Sequence, residues 1–446
     1  MSDALATAEP PSVEAPPGAG GERLRRYGVA AAFLAPAVVL LGVWIVYPAI
    51  DTTRRSFFDR VGDRFVWFDN YKEIFTTDLL VTAIKNNAIW LGVVPALVTA
   101  IGLVFAVLTE RISWSVAFKT AVFMPMAISL LAAGVIWRLM YVQDPSQGAI
   151  NAAIRGAKEI VTAPGPLSSA LPSTQTLAGS PQRGLVLRTP LRPGQVARLG
   201  LTAITSAELP EHPRQAVDPK PIQNGIAGVV WRDFKPGGGT PGRVEKQEIG
   251  LPNVTVVLRD AGGKKIATAT TADDGTFAFK DLESGSYQAA IGAATFHKPF
   301  GGVFWLGPKL ITPAVITAYI WVWAGFAMVV IAAGLAAIPR DVLEAARTDG
   351  AGEWQVFRRV TVPLLAPILS VVFITMLINV LKVFDIVVAV APQSTQAEAN
   401  VIALAMWRTS FGGVNDFGLG SAIAVFLFLL VLPVLALNVR RFRREV

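Results

Sequence analysis

Cysteine is absent from the 446 residues of this chain, and histidine occurs only at His212 and His297. The absence of cysteine excludes disulfides, thiolate catalysis and cysteine-based metal sites. Two histidines far apart in the sequence provide too few ligands for a histidine metal site. We therefore expect no bound metal and no cofactor.

Charged residues are also scarce, at 16% of the chain, whereas 52% of the residues are hydrophobic. The mean hydropathy is +0.49, which is more apolar than a soluble domain of this length usually is. The net charge of +8 raises the question of nucleic acid, but the basic residues stand at the ends of apolar runs and not in one patch with interleaved aromatics. The composition predicts a membrane protein that contacts lipid and binds no nucleic acid.

Motifs for hydrolysis are missing. The chain has no G-x-x-x-x-G-K-[ST] phosphate loop, and its one Gly-Lys pair, Gly263 and Lys264, falls in a predicted turn. It also has no G-x-S-x-G nucleophile elbow and no H-E-x-x-H helix. We therefore predict that this chain is not an enzyme and does not hydrolyse ATP by itself.

Six apolar runs approach or exceed the length of about 20 residues that a helix needs to cross a bilayer. A buried helix of a soluble core is the alternative for each, but runs of this length that are apolar on all sides favour lipid. The predicted spans are Tyr27 to Ile50, Ala88 to Thr109, Thr120 to Trp137, Ile311 to Ile338, Leu364 to Val390 and Phe417 to Val439.

Arginines flank the first and last of these runs, at residues 23–26 and 440–444. Short cytoplasmic segments collect Lys and Arg, and an even number of spans puts both termini on one side. We therefore predict a multi-pass protein of the plasma (inner) membrane with both termini in the cytoplasm. The Pro- and Ala-rich residues 1–22 are predicted to be a disordered cytoplasmic tail.

A long polar insertion separates spans 1–3, in residues 23–150, from spans 4–6, in residues 293–446. The parity of the spans places it outside. Residues 151–224 are rich in Pro, Ser, Ala and Gly, and we predict a loop of weak structure. Residues 225–292 contain short runs of Val, Thr and aromatics separated by turn signals, which predicts an extracytoplasmic antiparallel β-sandwich.

The predicted sandwich resembles bacterial surface repeats of the SdrD B or collagen-adhesin B type, in GVVWRDF, GLPNVTVVLRD and TTADDGTFAFKDLESGSYQAAI. This resemblance implies a fold more than an activity. Some members of that group bind calcium, which would involve Asp273 and Asp274. The alternative, a solvated turn at a hairpin tip, is the one we favour. We expect the sandwich to be accessory.

A charged, glycine-broken stretch, EAARTDGAGEWQVFRRVTVP, runs from Glu344 to Pro363 between two predicted spans. Strong helix formers precede Gly350, and apolar residues resume after Gly352, so two short helices are predicted. Helices this short are marginal alone and need a surface to dock on. An amphipathic helix lying on lipid is the alternative that spacing alone leaves open.

The same stretch resembles the EAA loop of permease subunits of binding-protein-dependent ABC importers, and WFDNYKEIF and GLGSAIAVFLFLLVLPV extend the resemblance. It is similar to the first permease of α-glucoside-type systems. The resemblance implies a helical type I permease fold with six transmembrane helices, in which residues 340–363 dock into an ATPase cleft. The residues implied in ATPase coupling are Glu344, Ala345, Ala346, Asp349, Gly350, Ala351 and Phe357.

The resemblance also implies partners and a substrate. The partners are a second permease subunit, ABC ATPase subunits and an extracytoplasmic sugar-binding protein, and the imported substrate is a sugar such as an α-glucoside or another oligosaccharide. A secondary transporter is one alternative, and a membrane-anchored surface adhesion protein is the other. Mutation of Glu344 or Gly350, and deletion of Gly225 to Gly292, would distinguish the three.

Sugars present hydroxyl groups and apolar ring faces, so a path for them needs aromatic platforms and a few amides or hydroxyls. Span 4 places Tyr319, Trp323 and Phe326 on one helical face, and span 5 has Thr375 and Asn379 four residues apart. These five residues are the predicted substrate path. Packing of the aromatics and a helix-to-helix hydrogen bond from Asn379 are the competing interpretation.

Overall fold

A computed structural model describes residues 19–110 and 112–445 of the chain. Most of the predicted tail 1–22, as well as Arg111, lies outside the described residues. The chain divides into two compact units, one formed by the residues up to 138 together with those from 306 onward, and one formed by residues 139–305. The first unit is helical and the second contains the β-structure.

Fourteen α-helices occur among the described residues. They are α1 Ala19–Leu41, α2 Tyr47–Arg55, α3 Asp69–Thr76, α4 Asp78–Glu110, α5 Ser115–Phe123, α6 Leu130–Met140, α7 Ala149–Val161, α8 Ile311–Ala336, α9 Arg340–Thr348, α10 Glu353–Val356, α11 Val362–Leu381, α12 Asp385–Val390, α13 Ile402–Phe411 and α14 Phe417–Glu445.

Four helical segments are long and apolar enough to cross a membrane, namely Tyr27–Arg55, Asp78–Glu110, Ile311–Ala336 and Glu353–Leu381. A fifth is obtained if α5 and α6 count as one bent span, and the apolar part of α14 is the shorter Phe417–Pro433. The helical membrane fold is thus confirmed, whereas the described residues do not confirm the predicted number of six spans.

The third predicted span, Thr120 to Trp137, is not one straight helix. The two halves meet at an angle of 103°. Pro125 lies in a 3₁₀ turn after α5, Ile128 is extended, and the Ser129 hydroxyl caps the new helix by accepting the Ala132 amide. A proline that lacks a donor and a serine that caps the restart explain the break, which the apolar composition conceals.

The helix observed in the region of the fifth predicted span, Leu364 to Val390, begins and ends at other residues than predicted. A π-helical turn, Phe357–Thr361, joins α10 to α11, so one continuous helix runs from Glu353 to Leu381. It ends there because Lys382 leaves the helical conformation, and α12 begins separately at Asp385. The prediction of a single helix to Val390 was therefore wrong, because hydropathy does not register this change of backbone direction.

Small residues let the helices of the first unit approach closely. A Cβ added to Gly102 of α4 would collide with Ala327 of α8, and one added to Gly134 of α6 would collide with Ala389 of α12. Helices in lipid gain little from burying apolar surface against one another, so close van der Waals packing of this kind holds them together. α8 is the central helix and packs against α4, α5 and α11.

The second unit contains ten strands, β1 Leu171–Pro172, β2 Leu177–Ser180, β3 Gly184–Leu187, β4 Val196–Thr202, β5 Ile226–Arg232, β6 Ile249–Gly250, β7 Thr255–Asp260, β8 Lys265–Thr270, β9 Thr276–Phe279 and β10 Tyr287–Ile291. One sheet has the order β1-β4-β5-β6 with β9 also paired to β5, and the other has the order β2-β3-β10-β7-β8. All pairs are antiparallel except β4 with β5.

The prediction of weak structure in residues 151–224 was wrong. α7 and β1–β4 lie in that range, and β4 pairs with β5 over six residues while β3 pairs with β10. Leu185 and Leu199 are fully buried in the same core as Leu258. The strands escaped detection because they are short and separated by polar loops, and because the partners that order them come much later in the chain.

Candidate functional site

The stretch predicted to couple to an ATPase forms two short helices, α9 and α10, separated by a tight turn. Gly350 has a φ of +83°, and its amide donates to the carbonyl of Arg347. The amides of Asp349 and Ala351 donate to the carbonyls of Ala345 and Ala346. Only glycine adopts this left-handed conformation without steric cost, so Gly350 sets the angle at which the two helices diverge.

The predicted coupling residues lie largely on the surface of the first unit. Glu344, Ala345, Asp349 and Gly350 are exposed. Ala346, Ala351 and Phe357 are half-buried. The neighbouring Trp354 is 68% exposed, with its ring 5.5 Å from that of Phe357. The loop therefore presents small side chains, two carboxylates and an aromatic ring to a surface outside this chain.

An ion pair connects the two short helices across the turn. Arg347 Nε lies 2.9 Å from Glu353 Oε1. Next to this pair is a cavity of about 130 Å³ that also borders the C-terminal ends of α4 and α8. Its lining includes Glu110, Leu335 and Ile338. The loop thus rests against the ends of two long membrane helices.

The second helix of the loop, α10, is continuous with the long helix α11. Because α10 continues through the π-helical turn into α11, residues Glu353–Leu381 form one helical segment. A helix of about 29 residues is roughly 40 Å long. α10 at the surface is therefore continuous with a helix that crosses the apolar part of the first unit.

The aromatic residues of the predicted substrate path form a connected row. The rings of Tyr319 and Trp323 are 5.9 Å apart, and those of Trp323 and Phe326 are 5.8 Å apart. Tyr319 is only 2% exposed, whereas Trp323 and Phe326 are half-buried. Trp323 Nε1 is buried and has no hydrogen-bond partner within the described part of the chain. Tyr319 serves packing, and Trp323 retains an unused donor.

Thr375 and Asn379 lie on α11, and their hydrogen bonds stay within that helix. Thr375 Oγ1 donates to the carbonyl of Val371, and Asn379 Nδ2 donates to the carbonyl of Thr375. Both side chains are half-buried. These bonds satisfy donors within the helix. Within the described part of the chain, no hydrogen bond joins Asn379 to a neighbouring helix, which the competing interpretation proposed.

Two groups of residues near this row were missed in the sequence. Trp90 of α4 stacks edge-on against Tyr319 with the ring centroids 5.2 Å apart, so the aromatic row begins one helix earlier. Asn86 and Asn87, one helical turn before Trp90 on α4, bond the backbone of Asn400 and Ile402 and fix the segment before α13. Two consecutive asparagines at the start of a predicted span were a detectable signal, since buried amides in lipid are costly.

The two acids named for calcium have partners within the chain, Asp274 inside its own turn and Asp273 at Arg214. Asp274 Oδ1 accepts the amide and hydroxyl of Thr276 at 3.0 and 2.7 Å, and Asp273 lies 3.5 Å from Arg214. These contacts match a hairpin turn held by an Asp side chain. Among the described residues, no group of three His, Asp or Glu side chains is placed to hold a metal ion.

Comparison with protein families gives two matches in this chain. Residues 276–444 match the family described as binding-protein-dependent transport system inner membrane component. Residues 224–299 match the SdrD B-like domain. The two ranges overlap at 276–299, where β9 and β10 pair with β5 and β7, so that overlap belongs structurally to the sandwich.

Two curated relatives align with nearly the whole chain. The alpha-glucoside transport system permease protein AglF of Rhizobium meliloti is 29% identical over 93% of this chain and 82% of its own length. The osmoprotective compounds uptake permease protein GgtC of Synechocystis is 28% identical over 93% of this chain and 98% of its own. Alignments that omit only 7% of the chain extend across the unit 139–305, so that unit is not peculiar to this protein.

A third relative matches a shorter part. The trehalose/maltose transport system permease protein MalF of Thermococcus litoralis is 38% identical over 32% of this chain and 49% of its own length. All three of these relatives are permeases of transport or uptake systems, and none of the three is named as an adhesion protein. The two alternatives considered for this chain are therefore not favoured.

Solved structures give the same fold. A chain of a bacterial ABC transporter involved in the import of the acidic polysaccharide alginate has a TM-score of 0.56 and 15% identity, with coverage of 95% of this chain and 98% of that chain. A bacterial alginate ABC transporter in complex with a pentasaccharide-bound periplasmic protein has a TM-score of 0.55. At this identity the likeness concerns the fold alone.

Proposed function

We propose that this chain is a permease of the binding-protein-dependent ABC transporter class and that it forms one half of a path by which carbohydrate enters the cell. The named substrates of its relatives include alpha-glucosides and trehalose or maltose, and the structural neighbour imports alginate. These names share the chemistry of glycosidic sugars. The substrate of this chain is accordingly an oligosaccharide or a comparable glycoside.

The observation that carries this proposal is the surface loop of α9, the Gly350 turn and α10. It presents Glu344, Ala345 and Asp349 outward, and α10 continues into α11. The chain has no phosphate loop of its own. A separate ATPase that grips the loop would therefore supply the energy, and the continuous helix would transmit its closure to the membrane helices as a rigid movement.

The partners follow from the same reasoning. A second permease subunit completes the path, two ATPase subunits bind the coupling loops, and an extracytoplasmic sugar-binding protein delivers the substrate. This arrangement places residues 340–363 and both termini in the cytoplasm and the sandwich outside. The arginines at the ends of the chain support that orientation.

The substrate path includes Tyr319, Trp323, Phe326, Thr375 and Asn379. Ring faces supply apolar contact to pyranose C–H groups, and the buried Trp323 Nε1 has a donor available for a sugar hydroxyl. Trp90 supports the row from α4, and Tyr319 packs between the rings of Trp90 and Trp323. In this arrangement Trp323 and Phe326 contact the sugar, and Tyr319 positions them.

The absence of cysteine permits a direct test. Glu344→Cys introduces a unique thiol, and we expect it to form a crosslink to the ATPase in intact cells and to resist a membrane-impermeant thiol reagent added outside. Thr268→Cys, at an exposed position of β8, is the matched control and should react with that reagent. External labelling of Glu344→Cys, or no crosslink to any nucleotide-binding protein, would refute the proposal.

A further inference from the structure

Helix α7 turns one polar residue, Asn151, toward the interior of its own unit. Asn151 is fully buried, and its Nδ2 donates to the carbonyls of Val142 and Val303 at 2.9 and 3.0 Å. Its Oδ1 accepts the amide of Val303 at 2.8 Å and the Trp305 indole N–H at 3.3 Å. These bonds fix the rotation of α7 about its axis, so the direction of its opposite face is determined.

That opposite face is apolar and exposed. Ala149, Ala153, Gly156, Ala157 and Ile160 lie on one side of the helix, and all five are exposed. Ile160 and Val161 are 87% and 85% exposed. A helix in a water-soluble domain buries its apolar face, whereas this apolar face of α7 is exposed. The outward face of α7 therefore requires an apolar partner.

The hydrogen bonds of Asn151 also show which segments of the chain lie next to α7. Val142 follows the last residue of α6 by two positions, and neighbouring Cα atoms are about 3.8 Å apart, so the Val142 to which Asn151 bonds lies within about 8 Å of the end of that apolar helix. Val303 precedes α8 by eight residues. The same side chain thus bonds both segments that connect α7 in sequence to the apolar helices α6 and α8.

An open groove lies beside the C-terminal half of α7. It measures about 650 Å³, and its apolar lining includes Ile154, Val161 and Phe300. Its charged lining consists of Lys158, Lys298 and Glu159, so ammonium groups outnumber the carboxylate. The Lys158 ammonium lies 4.2 Å from the centroid of the Phe300 ring. Apolar walls with two ammonium groups match a phospholipid, whose phosphate meets the lysines and whose acyl chain follows the apolar wall.

We propose that α7 lies flat on the bilayer surface with its face of Ala149, Ala153, Gly156, Ala157 and Ile160 in the lipid, and that the adjoining groove binds an anionic phospholipid through Lys158 and Lys298. The inserted unit is thereby anchored to the membrane at its base. The inference rests on the chain being a membrane protein and does not depend on the transported substrate.

The test uses the full chain, in which Ile160→Cys provides the only thiol for a fluorescent label. In nanodiscs of phosphatidylethanolamine and phosphatidylglycerol, we expect lipids with a quencher on the acyl chain to quench this label at least roughly threefold more strongly than iodide does, because the side chain sits in the acyl boundary. A label at Thr268→Cys, exposed on β8, should show the opposite preference. If Ile160→Cys fails to fold, Ala157→Cys on the same face replaces it.

Quenching of the Ile160→Cys label by iodide alone would overturn the proposal, because the face would then be in water. Quenching by neither reagent would also overturn it, because the face would then be covered by protein, such as a second permease subunit. The lipid site is tested by Lys158→Glu combined with Lys298→Glu. The double variant should lose co-purified phosphatidylglycerol, and unchanged phosphatidylglycerol would refute the headgroup contact.

Discussion

The two units of this chain expose different amounts of large apolar side chain. The helical unit exposes large apolar groups, such as Phe33 at 83% and Trp44 at 75%, and packs its helices through small ones such as Gly102 and Ala327. The sandwich does the reverse, since Trp231 and other large groups are fully buried. Burial of large apolar groups is favourable when the outside is water, whereas lipid removes that driving force and leaves close packing.

Because of this difference, we expect mutations in the two units to have different effects on transport. The sandwich closes its own core, so its fold does not depend on the helical unit for hydrophobic burial. The helical unit includes the turn and the aromatic row that transport requires under the proposed function. We therefore expect mutations of equal local severity to affect transport strongly in the first unit and weakly in the second.

The largest effect is expected from Gly350→Val. The φ of +83° is strained for a β-branched residue, although no atom crowds a new Cβ, so only the backbone of the turn changes. A shift of about 1.4 kcal/mol in the docked geometry is a factor of ten, and we expect uptake to fall roughly tenfold or more. Uptake of labelled substrate and substrate-stimulated ATPase activity of the purified complex measure the loss.

Gly352→Ala is the matched control, because Gly352 is equally open but has an ordinary extended conformation, with a φ of −67°. It should retain most of the uptake. Equal losses in the two variants would indicate that the loop responds to any added side chain, and the argument from the turn would be lost.

Deletion of the sandwich is the most direct test of whether the two units differ in their importance for uptake. The amide of Gly165 donates to the carbonyl of His297 at 2.9 Å, so residues 166–296 can be replaced by a short Gly-Ser link without moving the ends. Self-contained insertions at such neighbouring ends are well tolerated, and we expect about half or more of the uptake to remain. Complete loss in a variant that reaches the membrane would show that the unit is essential.

The sequence suggested a shorter deletion, residues 225–292, and we expect this variant to fold less well than the variant that lacks residues 166–296. It removes β5 to β10 and leaves β4 without its partner and Leu199 without its core. We expect this shorter deletion to reduce the amount of protein in the membrane, measured by immunoblot, whereas the 166–296 deletion does not. Equal amounts would indicate that residues 171–202 order independently.

A moderate effect is expected from Trp323→Phe. The substitution keeps an aromatic ring and removes the buried Nε1 donor, which is worth about 0.5–1.5 kcal/mol in a hydrogen bond, so the KM for uptake should rise roughly three- to tenfold. The coupling loop is untouched, so ATPase activity without substrate should be unchanged. Tyr319→Phe is the control, and a larger KM effect there would mean that the donor role belongs to Tyr319.

The smallest effects concern acids of the sandwich. Burial would raise the pKa of Glu208, but hydrogen bonds from Ser169, Ser168 and Thr205 outweigh it and lower the pKa from 4.5 to about 2. Because the folded pKa is the lower one, this stabilisation is present above pH 4.5 and is lost as the pH falls toward 2. Glu208→Gln should lower the Tm of the full chain in detergent by about 2–4 °C at pH 7 and by less at pH 3.

Glu248 provides the opposite case in the same unit. Burial, with Asp233 and Glu245 nearby, raises its pKa. Stability from the protonated form is therefore complete below the ordinary pKa and is lost as the pH rises through the folded one. Glu248→Gln should raise the Tm slightly at pH 7 and leave it unchanged at pH 3. A lower Tm at pH 7 would show that the carboxylate is needed in its charged form.

Local patterns predicted much of the candidate site. The two helices around Gly350 follow from helix formers interrupted by glycine, and Tyr319, Trp323 and Phe326 share a face because of helical periodicity. Trp90 could not be placed beside Tyr319, because the two residues are far apart in sequence and meet only when α4 packs on α8. For the same reason the strands β1 to β4 were missed.

The sequence by itself determined the class of environment for each region, since lipid and water select different side chains along the chain. It also determined the two short helices on either side of Gly350 and the presence of strands in residues 225–292. Only the tertiary structure decided the 103° break after α5, the pairing of β4 with β5 and the outward direction of the apolar face of α7. These depend on which distant groups meet, as when Asn151 bonds Val303, and local composition carries no information about such contacts.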